Sequence, residues 1–168
     1  MATPAVVRRD DPAPGDSAES LKDALSHTLD EARMVLPGVQ ALFGFQLIAV
    51  FSDGFANRLS DLERDLHLVA IVLVTVAIAL LMTPAAYHRQ VDPRRTTGEF
   101  LALASRLISV AMLPLAAGLA LDIHLVARVV AGSATLATAL GAVVFAMFVL
   151  LWYVFPQWRA ARKHGPGR

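Results

Sequence analysis

LHLVAIVLVTVAIALLMTPAAY, residues 66–87, contains no Asp, Glu, Lys or Arg. A bilayer core needs ~20 mainly apolar helical residues to cross it. The run is that long, and it lacks the period-2 alternation of a membrane β-strand. A backbone in lipid must satisfy its own hydrogen bonds, so the run reads as a transmembrane helix. Three further runs resemble it. Residues 34–52 and 129–158 carry no charge, and residues 100–121 carry only Arg106. The spans are expected at about 35–54, 62–87, 98–122 and 132–156.

Composition agrees with that reading. Of 168 residues, 56% are hydrophobic and 17% charged, with a mean hydropathy of +0.56. Soluble domains run near 45–50% apolar and about 25% charged. A chain this short cannot hide so much apolar surface in one water-facing core. There is no cysteine, which removes disulfides, thiolate catalysis and thiolate metal sites. The net charge of +1 gives no reason to expect nucleic acid as a partner.

Local signals set the helix starts. Ser60-Asp61-Leu62-Glu63 is a capping box ahead of the second span. Thr96-Thr97-Gly98-Glu99 repeats it before the third, with Pro93 in the turn upstream, and Gly132-Ser133 offers a cap for the fourth. These place starts near residues 61, 97 and 134. Residues 1–17, rich in Pro, Asp and Ala, read as a disordered tail without a signal-peptide core. Over 18–36, Leu21, Leu25, Leu29, Ala32 and Leu36 recur at helical spacing among charges. That pattern predicts a cytoplasmic amphipathic helix that ends or kinks at Pro37-Gly38. The four-span domain then fills 37–158, and 159–168 form a basic tail.

Lys and Arg give the threading. Arg8, Arg9, Lys22, Arg33, Arg89, Arg94, Arg95, Arg159, Arg162, Lys163 and Arg168 fall on one side. Arg58, Arg64 and Arg128 fall on the other, the last in the third loop. The positive-inside rule places both termini in the cytoplasm. Trp152, Tyr153 and Trp158 suit the headgroup level at the fourth span's exit.

A few polar residues stand at membrane depth. Arg106 lies ~10 Å past Glu99 along a helix. Gln40 of the first span should reach a similar depth, which makes an Arg106–Gln40 contact one candidate and a snorkelling Arg106 the other. Pro114 interrupts the third span and, with Pro37, is a candidate hinge. Ala116 and Ala120, and Ala137 and Gly141, are small-xxx-small pairs suited to close helix contact within or between chains. On the first span Val39, Phe43, Gln46, Val50 and Asp53 share a face. Meeting across several copies, they would stack an acidic ring, an apolar constriction and a polar one, the parts of a cation pore. The other reading of Ser52-Asp53-Gly54 is a turn that closes the helix. No phosphate loop, His-Glu-x-x-His or Gly-x-Ser-x-Gly occurs, so no catalytic residue, metal site or cofactor is expected, and an enzyme is not.

EARMVLPGVQALFGFQ at 31–46, PAAYHR at 84–89 and LWYVFP at 151–156 resemble, in order, the segments of an uncharacterised family of small bacterial membrane proteins. The likeness spans roughly residues 20–157. It implies four helices in a bacterial inner membrane and carries no functional residues. The sequence therefore predicts an all-α membrane bundle of four transmembrane helices with an N-terminal cytoplasmic amphipathic helix. Two functions stay open. One is a homo-oligomeric channel or transport-type protein, with an ion as partner if it conducts. The other is a structural or accessory protein that docks a partner through the amphipathic helix.

Overall fold

The computed structural model describes residues 14–91 and 98–163. Helix α1 runs Pro14–Ala49, α2 Asp53–Arg58, α3 Asp61–Val91, α4 Gly98–Ala131 and α5 Ala134–Val149. A π-wound turn, Leu150–Val154, leads into α6, Phe155–Lys163. No strand occurs among the described residues. Four stretches are long and apolar enough to cross a membrane: Ser26–Ala49, Asp61–Gln90, Gly98–Ala131 and Ala134–Arg162. The chain is a four-helix, multi-pass membrane protein. Residues 1–13, the turn at Pro93, the Thr96-Thr97 cap and residues 164–168 lie outside the described residues.

The caps fall where the sequence puts them. The Ser60 backbone N–H and hydroxyl both donate to Glu63 Oε2, at 2.8 and 2.9 Å, while the Glu63 N–H reaches Ser60 Oγ at 3.4 Å. Gly132 turns the chain between α4 and α5 at φ 66°, a conformation that disfavours any Cβ. Ser133 then caps α5, its Oγ accepting from the Leu136 N–H.

Four boundaries differ from expectation. Residues 14–17 are helical, and so are 159–163. Helix α1 does not stop at Pro37 but runs through it as one element. The reason is the inward stripe: Ala32, Val39 and Gln46 are buried seven residues apart, with Leu36 and Phe43 half-buried between them. That packing outweighs the single helix hydrogen bond a proline removes. Helix α4 continues past the expected end at Asp122 to Ala131, which puts Asp122 well inside it and Arg128 in its last turn rather than in a loop.

Helices α3 and α4 form the centre, with α1 against both and α5 against α4. The core joins Val39 of α1, Val74, Ala77 and Leu81 of α3, and Ala111 and Leu115 of α4. Small residues set the spacing. A Cβ on Gly118 would stand 2.9 Å from Val74 Cγ2 and 3.3 Å from the Ala70 carbonyl oxygen. One on Gly141 would stand 3.0 Å from the Ala120 carbonyl oxygen. Both small-xxx-small pairs, Ala116/Ala120 and Ala137/Gly141, are buried inside the chain. Close backbone approach is what holds helices together where lipid removes the hydrophobic drive. Large apolar side chains cover the outside instead, among them Met34, Phe45, Phe51 and Val130.

Two consequences follow for stability. Gly118→Ile should force α3 away from α4 and cost about 1–3 kcal/mol, as overpacking does. Thermal unfolding in detergent checks it, and an unchanged Tm would refute the close-approach account. Arg128 Nε donates to Glu63 Oε1 at 2.7 Å and ties the end of α4 to the start of α3. Charge-assisted bonds of this kind contribute about 1.5–3 kcal/mol. Arg128→Gln and Glu63→Gln should each destabilise by about that much, and the double variant by less than their sum. Strict additivity in the double-mutant cycle would show the pair to be idle.

Candidate functional site

Asp122 decides where the site lies. It stands ~14 Å from the end of α4 at 1.5 Å per residue, a depth at which a carboxyl needs partners. Gln46 of α1 and His67 of α3 supply them. Gln46 Nε2 donates to Asp122 Oδ2 at 2.8 Å. His67 Nδ1 is 4.0 Å from Asp122 Oδ1, and its Nε2 donates to the Gln46 backbone oxygen at 2.9 Å. The side chains of His67 and Asp122 are 7% and 18% exposed, and Gln46 is 3% exposed. Three helices thus converge on one buried polar cluster.

The backbone carbonyl fixes the imidazole. It can only accept, so His67 Nε2 must carry a hydrogen. In the neutral ring Nδ1 is then bare, and it faces the carboxyl. Phe55 of α2 lies edge-on to the imidazole, with ring centroids 5.1 Å apart. Helix α2 is placed by Ser52, whose hydroxyl donates to the Ala49 oxygen at 2.7 Å and accepts from the Phe55 N–H. Ser52 therefore closes α1 and opens α2 at once. Above the cluster is a cavity of about 420 Å3. Leu42, Ala49, Leu125 and Val126 wall it, Phe55 covers it, and Gln46, His67 and Asp122 are its polar residues. This is an ordinary volume for a small-molecule site with apolar walls and few polar groups.

The other candidate residues are distributed differently. Arg106 and Gln40 are both exposed on the outside of their helices, and no hydrogen bond or ion pair joins them among the described residues. An exposed Arg106 near the start of α4 is placed to snorkel. The first-span stripe exists, but it faces inward. Val39 and Gln46 are buried and Phe43 packs on the core. They cannot line an axis between copies while α3 and α4 of the same chain cover them. The stripe also ends early: the chain turns at Val50-Phe51, and Asp53 is exposed in the first turn of α2.

Pro37 and Pro114 both sit inside continuous helices. Near Pro114, Tyr153 Oη donates to the Ser109 carbonyl oxygen at 2.6 Å. The π turn that carries Tyr153 precedes Pro156, whose missing N–H leaves the Trp152 carbonyl without its helical partner.

Sequence reasoning found Gln46 but neither of its partners. Asp122 looked like the last residue of a span, at the point where it meets the loop, and His67 was one of five histidines spread over different segments. One signal pointed to Asp122: a mainly apolar stretch resumes beyond it, as LVARVVA, with helical continuity. No curated protein and no solved structure matches the chain. A family model does match, over residues 16–156, from the first turns of α1 to the start of α6, and it takes in all three resembling segments. The chain belongs to DUF6328, a family of unknown function.

Proposed function

We propose that this is a transport-type protein of a bacterial inner membrane. It takes a small, largely apolar ligand into the cavity between α1 and α4, with the ligand's polar end toward Gln46, His67 and Asp122. The observation that carries the reading is a polar cluster at membrane depth beneath an apolar cavity of about 420 Å3. Ionisable residues inside the membrane are costly, face the bundle interior or a cavity, and commonly mark substrate or ion paths. The ligand site lies within one chain, so binding needs no second copy. A pore made of first-span rings is not favoured, because that face is already covered.

The proposed threading keeps both termini in the cytoplasm. Two of the three basic residues assigned to the outer side are paired with local acids: Arg64 with Asp61 at 3.1 Å and Arg128 with Glu63 at 2.7 Å. The cluster and its cavity then lie in the outer half of the bilayer, under α2. The accessory reading rests on the charged outer face of early α1, where Asp23, Asp30, Glu31 and Arg33 are exposed. Asp30 and Arg33 pair with each other at 3.3 Å, which leaves that face less to offer a partner.

Binding is tested with the full chain in lipid nanodiscs and an apolar fluorophore, N-phenyl-1-naphthylamine. A saturable component is expected above lipid partitioning. Ala49→Trp should fill the cavity and weaken that component about tenfold, or roughly 1.4 kcal/mol. If wild type shows no saturable component, the cavity reading fails. Orientation is tested on the cysteine-free chain by single substitutions. An impermeant maleimide should label Asn57→Cys and Thr135→Cys from outside spheroplasts and spare Gln157→Cys. The reverse pattern would invert the threading.

A further inference from the structure

The walls of the cavity are unevenly covered. Gln46, His67 and Leu125 are buried, but Phe45 of α1 and Val126 and Val130 of α4, which also line it, are each more than half exposed. Asp122, Val126 and Val130 follow one line of α4 at four-residue steps. That line leads from the polar cluster toward the end of the helix. On α1, Phe45 is the neighbour of Gln46 and stands one turn from Ala49, another wall residue. Both rims lie within stretches long and apolar enough to cross the membrane, Ser26–Ala49 and Gly98–Ala131. Exposed apolar side chains there face lipid. Helices α1 and α4 touch little apart from the Gln46–Asp122 bond, so a seam beside that bond opens the cavity sideways into the bilayer.

The seam selects what can pass. Phe45, Val126 and Val130 offer a passing group neither charge nor hydrogen bond. An ion between such walls is strongly disfavoured, and so is a phosphate, which needs several donors. A molecule already dissolved in the hydrocarbon meets no such barrier. The base of the cavity then sets the polar group it carries. Gln46 Nε2 gives one of its two hydrogens to Asp122, and Gln46 Oε1 is buried without a hydrogen-bond partner. The amide can therefore accept a further bond and donate one. Asp122 has acceptor capacity in either protonation state. Ser52, another polar wall residue, already uses its hydroxyl on Ala49 and Phe55. A hydroxyl, with one hydrogen and two lone pairs, fits this mixed set. An ether oxygen can only accept, and would leave Oε1 unbonded.

We infer that the cavity opens laterally to lipid between α1 and α4 and admits an uncharged hydroxyl compound from the membrane, whose hydroxyl bonds to the Gln46–Asp122 pair. The inference rests on the cavity reading above and adds the route and the chemical class. The apolar body of the ligand lies against Leu42, Leu125 and Val126. Depth excludes an intact phospholipid as the occupant of the polar end. Asp122 stands ~14 Å from the end of α4, and a headgroup held at the surface does not reach it. The favoured ligand is an alcohol or phenol without a large headgroup.

Three probes with one body decide the class in phosphatidylcholine nanodiscs. They are naphthylmethanol, its methyl ether and the corresponding trimethylammonium. With affinities referred to the concentration in the lipid, the alcohol should bind about tenfold more tightly than either. Asp122→Leu should bring the alcohol down to the affinity of the ether. Where that variant fails to fold, the three probes on wild type still decide. An ether that binds as tightly as the alcohol overturns the hydroxyl, and an ammonium that does so overturns the uncharged class, while the cavity stands in both cases. Saturable binding of none of the three overturns the cavity reading as well. The route is read from rates. Val126→Trp should narrow the seam, so that the alcohol binds and leaves about tenfold more slowly at nearly unchanged affinity. Leu59→Trp, at the α2 end of the cavity, should leave both rates unchanged. Slowing by Leu59→Trp and not by Val126→Trp would put the entrance on the water side and overturn lateral entry. Protection of Val126→Cys from a lipid-soluble maleimide would show a second copy covering the seam and overturn it too.

Discussion

A carboxyl cannot cross an apolar layer alone, and Asp122 obliges three helices to meet. Its hydrogen bond to Gln46 draws α1 onto α4 at one point, and His67 brings α3 to the same place. Elsewhere α1 touches α4 little and packs chiefly on α3. The two helices are therefore joined at a polar contact with an apolar gap beside it. That gap is the cavity. Helix α2 lines one end of it because Ser52 ends one helix and begins the next within a single turn. The cavity is thus a geometric result of where one acid lies on α4.

The central helix has to be narrow for this to work. Ala104, Ala111, Ala116, Gly118 and Ala120 are all buried on α4. Their small side chains let α3 and α5 approach from two sides, while Pro114 interrupts the hydrogen bonding in the middle. Support near there comes from the π turn after α5: Tyr153 donates to the Ser109 carbonyl, one residue from the Val110 carbonyl that Pro114 leaves without its helical donor.

Whatever depended on neighbouring residues was legible in the sequence. The presence of four spans, the Ser60–Glu63 box and the Gly132-Ser133 cap all arise within a few positions and stand as read, while the ends of the first and third spans do not. The inward stripe of α1 was legible too, but its partner was not. Periodicity tells which residues share a face and is silent on what covers it. Asp122 and Arg128 show the same limit more sharply. Each is a charge that ends an apolar run locally, yet each is partnered by a residue distant in the chain: Gln46 hydrogen-bonds to one, and Glu63 forms an ion pair with the other. A charge partnered across the bundle looks, in one dimension, like the start of a loop. Arg106 was the most conspicuous charge inside a run, and of the two readings weighed for it, its exposure fits the snorkelling one.

Polar contacts between membrane helices are often only fasteners, worth about 0.6 kcal/mol on average. A fastener is best when closed, because any buried polar atom without a partner costs about 1–3 kcal/mol. The Gln46–Asp122 contact is not closed. It leaves Gln46 Oε1 buried and unbonded, beside a histidine and an acid. Joining α1 to α4 demands none of this. A serine reaching a backbone carbonyl would hold the helices and leave nothing unsatisfied. The residual acceptor belongs to a residue that lines the cavity, where a bound donor would satisfy it. That open acceptor is what the proposed ligand site draws on and a simple fastener would lack.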